Sequence, residues 1–243
     1  MDQIEGRNPV VEALKANREM EKLCIAKGSK GQVISEIAEL CARASIPVKW
    51  LDKKEIQQLA VTGGHQGIIA FAKPVAYAAI EEVMGSINAE EDPIFLLLDH
   101  LQDPQNFGAI LRTAEAAGVK ALIIPNRRAV GMTPAVLKVA AGAVEHVPVV
   151  AVTNLARTID QLKDQGFWVM GAQAGAAQSI YQTDMRMPLV LAIGSEGKGL
   201  SRLVKEKCDF LVSIPLMGKL NSLNAASAAA VVIFEALRQR LDG

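Results

Sequence analysis

Short, near-continuous apolar runs recur along the second half of this chain, most of them followed by a segment of helical spacing, and this alternation confines it to α/β architecture. The runs lie at Ile94–Leu98, Ala121–Ile124, Val147–Val150, Phe167–Gly171, Leu189–Ile193 and Phe210–Ile214. A strand with one wet face alternates apolar and polar residues. Continuous runs imply burial on both faces, the condition of a parallel sheet covered by helices. The covering helices are expected at Gly108–Ala117, Pro134–Ala141, Leu155–Gln165, Ser201–Lys207 and Ala225–Leu241. The last opens on Ala225, Ala226, Ala228, Ala229 and Ala230, whose high helix propensity and small volume permit close packing against a sheet or a second subunit.

A smaller set of elements precedes these. Asn8-Pro9 starts a helix with proline in its first turn and an apolar face through Val10, Val11 and Leu14. Strands are expected at Leu23–Ala26, Pro47–Leu51 and Gly67–Ala72, with helices at Val33–Ala44 and Lys53–Ala60. The expected division is a domain over residues 1–74, an acidic linker over 75–92 with a short helix at Ala79–Ser86, and a second domain over 93–243.

Composition narrows the class further. At 243 residues and 50% hydrophobic, the chain can bury a sizeable core. No apolar run approaches the roughly 20 residues that cross a bilayer, and the N-terminus lacks a basic-then-apolar signal. The expectation is a soluble, cytoplasmic protein with no membrane partner. Cys24, Cys41 and Cys208 form no CxxC pair, so they read as free thiols. His65, His100 and His146 lack metal-ligand spacing, so no metal is expected. The 26 basic and 26 acidic residues cancel, whereas RNA binders are often basic. Glu81, Glu82, Glu90, Glu91 and Asp92 fall in one stretch without Lys or Arg, which leaves the rest of the chain with five more basic than acidic residues. Arg127, Arg128, Lys198, Arg202, Lys205, Lys207 and Lys219 could supply phosphate contacts or simply solvate helix faces.

Three polar loops follow strands in the second half: Asp103-Pro104-Gln105-Asn106-Phe107-Gly108-Ala109-Ile110-Leu111-Arg112, Gly194-Ser195-Glu196-Gly197-Lys198-Gly199, and Ile214-Pro215-Leu216-Met217-Gly218-Lys219-Leu220-Asn221-Ser222-Leu223-Asn224. Loops at strand ends of an open parallel sheet meet where such folds bind ligands. Singly, each has a plain reading. Asp103-Pro104 is a turn and helix cap, Ser222 to Asn224 is a cap for the last helix, and the glycine loop is a tight turn. The glycine loop is neither GxxxxGK[ST] nor GxGxxG, which argues against nucleotide hydrolysis and dinucleotide binding.

Together, in this order and spacing, the three loops resemble the motifs of the SpoU branch of the SPOUT RNA methyltransferases. The resemblance implies an α/β-knot domain, a mostly parallel sheet with a deep trefoil knot near its C-terminal end, which periodicity alone does not foresee. Gly6–Leu14 and His65-Gln66-Gly67-Ile68 resemble the small L30e-like RNA-binding domain of large-subunit ribosomal RNA guanosine 2′-O-methyltransferases.

The same resemblance implies an enzyme that transfers a methyl group from S-adenosylmethionine to a ribose 2′-hydroxyl of 23S ribosomal RNA, as a homodimer. Arg112 then matches the catalytic arginine, and Asn106, Glu196, Ser222 and Asn224 match other active-site positions. Glu196 has two roles open to it, orienting ribose, phosphate or Arg112, or pairing with a nearby cation. Gly194, Ile214, Met217 and Leu223 match cofactor-binding positions. A transfer RNA methyltransferase of the same fold and a non-catalytic assembly factor are the alternatives.

Overall fold

The computed structural model of the chain describes residues 1–87, 92–219 and 221–241. Glu90 and Glu91 of the expected acidic linker and Leu220 of the third motif lie outside the described residues. In chain order the first elements are β1 (Asp2–Glu5), α1 (Arg7–Lys15), β2 (Met20–Ala26), α2 (Gln32–Arg43), β3 (Val48–Leu51), α3 (Lys53–Leu59), β4 (Ile68–Ala72) and α4 (Ile80–Gly85). Then come β5 (Ile94–Asp99), α5 (Pro104–Ala116), β6 (Ala121–Pro125), α6 (Pro134–Ala140), β7 (Val149–Val152), α7 (Leu155–Asp164), β8 (Trp168–Ala172), β9 (Gln178–Ser179), β10 (Leu189–Gly194), α8 (Arg202–Lys207), β11 (Phe210–Ser213) and α9 (Ala225–Leu241). By contacts they separate into two units, Met1–Ala76 with Met132–His146, and Tyr77–Gly131 with Val147–Gly243.

The first unit holds a four-stranded sheet in the order β1-β4-β2-β3, antiparallel except for the β2–β3 pair. Strict alternation in the central strands sends Leu23, Ile25, Ile68 and Ala70 to one cluster with Val10, Leu14 and Ile37 of the first two helices. Cys24, Ala26 and Ile69 point the other way, against Ile56 of α3. Residues 132–146, expected with the later domain, pack in this unit: α6 lies against β1. The turn after α6 closes tightly on α1, because a Cβ on Gly142 (φ +100°) would meet the Glu12 side chain at 2.5 Å. Arg18 ties the ends together through Asp2 and through Glu145 at 2.8 Å.

The second unit is built on a seven-stranded sheet in the order β7-β6-β5-β10-β8-β11-β9, and every described neighbouring pair is parallel. Phe95, Leu97, Val190, Ala192 and Val169 face Ile159 and Leu162 of α7 and Leu200 and Val204 near α8. The helices α5 and α9 pack on each other, with Phe107, Ile110, Leu111 and Ile233 fully buried. Burial of side chains of this size stabilises by about 2–3 kcal/mol each. No helix among the described residues is long and apolar enough to cross a membrane.

Three expectations shift. The helix expected from Gly108 begins at Pro104, because the Asp103 carboxylate accepts from the Gln105 N–H at 3.0 Å and so caps it. The strand expected at Val147–Val150 runs from Val149 to Val152, since Pro148 has no N–H to give a ladder. The strands β1 and β9 were not foreseen. One is the mixed run Asp2-Gln3-Ile4-Glu5 and the other spans two residues, so neither shows a usable period.

Candidate active site

The adjacent parallel strands β5 and β10 end side by side, with Ile193 opposite Leu98 and Gly194 opposite Asp99. The loops that extend beyond them are therefore neighbours by construction. Gly194 cannot carry a side chain, since a Cβ there would sit 2.0 Å from the Gly199 carbonyl carbon. The loop folds back as a hairpin, with the Gly199 N–H donating to the Ser195 carbonyl at 2.8 Å. That fold presents Glu196 at its tip.

Glu196 joins the three motifs. Its Oε1 accepts from Asn106 Nδ2 at 3.0 Å, from Asn224 Nδ2 at 2.6 Å and from the Ala225 N–H at 3.3 Å. Asn224 Nδ2 also donates to Asn106 Oδ1 at 2.8 Å, while Asn224 Oδ1 accepts from the N–H groups of Ala226 and Ser227 and caps α9. Asn106 is buried, at 6% exposure, so its amide needs these partners. Beneath the hairpin, Asp99 is 1% exposed; its Oδ2 accepts from the Ser201 N–H at 2.6 Å and its Oδ1 pairs with His100 Nδ1.

Two cavities adjoin across this junction. One of about 460 Å³ is lined by Ile193, Gly194, Val212, Ile214, Leu223 and Asn224, among others. The other, about 480 Å³, is lined by Asp99, His100, Asp103, Asn106 and Arg128 with the back of the glycine hairpin. Ser195, Glu196, Lys198 and Gly199 belong to both walls. The first cavity suits an adenosyl group. Its walls are apolar around a few polar groups, and Gln173, which also lines it, has a buried amide oxygen with no hydrogen-bond partner among the described residues. Ile193, Ile214 and Leu223 would enclose the base, and Gln173, Ser222 and the hairpin N–H groups would meet the polar atoms.

The structure brings Asn106, Glu196 and Asn224 together and sets Ser222, Gly194, Ile214 and Leu223 around the first cavity. It does not bring in two others. Arg112 is exposed on α5, lines neither cavity and has no hydrogen-bond or ion-pair partner among the described residues. Met217 is 99% exposed and also lies outside both walls. Sequence reasoning missed Asp99 and Gln173. Asp99 was legible as an acid ending a buried run, the place where a carboxylate must find donors, whereas nothing marked Gln173. Among the described residues no group of three or more His, Cys, Asp or Glu side chains is placed to hold a metal ion. Cys208, at the C-terminal end of α8, donates its thiol to the Val204 carbonyl, and burial pushes its pKa up to about 12.

Comparison with known proteins agrees with this geometry. Residues 93–234 match the SpoU rRNA methylase family, and residues 3–78 match the substrate-binding domain of RNA 2′-O ribose methyltransferases. YacO of Bacillus subtilis (strain 168), named as a candidate TrmH family tRNA/rRNA methyltransferase, is 45% identical over 241 residues, covering 98% of this chain and 96% of its own. The SpoU methyltransferase AviRb from Streptomyces viridochromogenes, solved with AdoMet, superposes with a TM-score of 0.84 at 23% identity, over 99% of this chain and 91% of that one. A crystal structure of an RNA 2′-O ribose methyltransferase gives 0.82 at 28% identity, over 98% and 88%. The chain thus belongs to the SpoU family and is an RNA 2′-O-ribose methyltransferase, on a parallel sheet consistent with the α/β-knot fold.

Proposed function

We propose that the chain methylates the ribose 2′-hydroxyl of a guanosine in large-subunit (23S) ribosomal RNA, in the peptidyl-transferase P loop, as a cytoplasmic homodimer. The observation that carries the reading is the Asn106–Glu196–Asn224 junction on the wall shared by two cavities. One cavity takes the cofactor and the other the ribose, so the junction lies where the two reactants meet. When bound, S-adenosylmethionine supplies a sulfonium methyl that is already electrophilic. The side chains therefore have two tasks, aligning the hydroxyl and accepting its proton.

Glu196 keeps one carboxylate oxygen without a partner among the described residues, and that oxygen can accept the hydroxyl's hydrogen bond. Asn106 and Asn224 fix its direction. A guanidinium holds its proton at any physiological pH, so Arg112 acts as an electrostatic anchor for the phosphate beside the target. Ser222 offers a hydroxyl to the cofactor's polar end, while Gly194, Ile214 and Leu223 bind the adenosyl group.

Two observations support the dimer. Arg112 and Met217 stand outside the cavities of their own subunit, and Leu216, Leu223, Phe234 and Leu241 leave apolar surface exposed on the third loop and α9. A second subunit would cover that surface and receive Arg112. The match of residues 3–78 to a methyltransferase substrate-binding domain, together with their resemblance to the ribosomal-RNA type, supports the choice of ribosomal over transfer RNA.

The test is to incubate the protein with methyl-labelled S-adenosylmethionine and unmodified 23S ribosomal RNA or transfer RNA, and then to locate the label by nuclease mapping. Label on one ribosomal guanosine ribose is expected. Label on transfer RNA alone would overturn the substrate.

A further inference from the structure

We infer that the cavity between Asp99, His100, Asn106 and Arg128 is the pocket for the target nucleobase, and that Arg128 and His100 read it as guanine. The inference rests on the ribose-methylation reading. It adds two residues and a base-recognition site to that reading.

The cavity lies across the Ser195–Gly199 hairpin from the cofactor cavity. A ribose held at the shared wall sends its base away from the cofactor, into this space. At about 480 Å³ the cavity falls within the size of sites that bury a small ligand, roughly 300–1,000 Å³.

Two of its lining residues have an unusual backbone. His100 (φ +60°) and Arg128 (φ +59°) both sit in the left-handed region, which residues with a Cβ seldom adopt. They belong to different loops, after β5 and after β6. The Val130 N–H donates to the Leu101 carbonyl at 2.8 Å and fixes one loop to the other. Strained backbone at two residues of one cavity points to side chains whose direction matters.

The chemistry of the two side chains selects a base. Asp99 is buried and holds His100 Nδ1, which leaves Nε2 without a partner among the described residues. A neutral ring that donates from Nδ1 to a carboxylate accepts at Nε2. Arg128 is exposed, with no hydrogen-bond or ion-pair partner among the described residues, and carries a planar fork of donors. Guanine matches both, with O6 and N7 acceptors for the fork and N–H donors for an imidazole acceptor. Adenine sets an amino donor where O6 would be, against the guanidinium. A phosphate would satisfy Arg128 as well, but it would give His100 Nε2 no donor.

The test measures binding rather than turnover, so it stands apart from the methylation assay. The full chain, saturated with S-adenosylhomocysteine, is titrated with guanosine 5′-monophosphate and with adenosine 5′-monophosphate, and the histidine ring signals are followed by NMR. His100→Gly assigns the His100 signal among the chain's three histidines. The guanosine nucleotide should shift His100 and bind about tenfold more tightly than the adenosine nucleotide, within the span expected for one bidentate pair. Arg128→Lys, which keeps the charge and loses the fork, should bring the two affinities together. Equal affinities in the unaltered protein, a motionless His100 signal, or full guanosine preference in Arg128→Lys would each overturn the inference. A cavity that selects the guanosine nucleotide while no RNA is methylated would leave the inference standing and sink the functional reading. Methylation whose base preference Arg128→Lys leaves unchanged would do the reverse.

Discussion

Glu5 in the first unit and Glu196 in the second are both carboxylates that gather several hydrogen-bond donors, yet they do opposite things. Glu5 is 4% exposed and uses both oxygens: Gln3 Nε2 and the Val61 N–H reach Oε1, the Thr62 hydroxyl reaches Oε2, and the Thr62 N–H lies within reach of both. Nothing is left over, so Glu5 is a clasp that fixes the Val61-Thr62 loop to β1. Glu196 takes its three donors on one oxygen and, among the described residues, leaves the other open beside two cavities. The same chemistry makes a structural tie when its hydrogen-bonding capacity is used up and leaves room for a further donor when part of it is unspent.

The largest expected effect sharpens the open side of this comparison. Arg112→Ala should lower single-turnover methyl transfer to 23S ribosomal RNA by about 100- to 1,000-fold, the usual cost of losing one electrostatic anchor. Its melting temperature should hold, because the side chain is exposed and unpartnered among the described residues. A mutant that melts early and transfers methyl normally would show that Arg112 is structural.

On the closed side, Glu5→Ala should cost about 2–3 kcal/mol in urea unfolding, since the loop N–H groups lose their acceptor in a buried place. Burial pushes the Glu5 carboxyl up, but the Thr62 hydroxyl and the Val61 and Thr62 N–H groups outweigh it and hold the carboxyl below its ordinary value of 4.5. A depressed folded-state value stabilises the fold above about pH 4.5 and withdraws that stability as pH falls through it. Glu5→Gln should therefore flatten the acid limb of the melting-temperature profile. An unchanged limb would remove Glu5 from the account of acid stability.

A smaller effect is expected at His100, whose backbone conformation suits glycine but whose ring is the partner of the buried Asp99. His100→Gly should lower stability by about 1 kcal/mol net, measured by urea unfolding, because relief of backbone strain recovers only part of what the buried Asp99 loses with its imidazole partner, while nucleotide binding falls. The smallest concerns Cys208, which burial pushes up to about 12, so the native protein should leave this thiol unmodified by iodoacetamide at pH 8 over an hour. Labelling of Cys208 at the rate of an unfolded thiol would show that the region around α8 opens freely.

Much of this was legible in the sequence because the signals were periodic or punctual. Continuous apolar runs located the strands of the parallel sheet from β5 to β11 apart from β9, since burial on both faces leaves no other pattern. Pro104 and Gly194 marked turns whose backbone demands the structure bears out: a proline in the first helical turn, and a glycine where no Cβ fits. The features that stayed hidden depend on distance in the chain. The packing of residues 132–146 in the first unit rests on contacts such as Arg18 with Glu145, which no local period encodes. Gln173 entered the site through the residues around it rather than through any motif. The positive φ of His100 and Arg128 was equally invisible, because neither residue type announces that conformation as glycine does.

The central claim is that the unspent oxygen of Glu196 is catalytic while the saturated carboxylate of Glu5 is structural. The most direct measurement sets Glu196→Gln beside Glu5→Gln, reading single-turnover methyl transfer to 23S ribosomal RNA and the unfolding free energy of each. The prediction is a fall of about 100-fold in transfer with under about 1 kcal/mol of stability lost for Glu196→Gln, and the reverse pattern for Glu5→Gln. Normal transfer in a destabilised Glu196→Gln protein would contradict it.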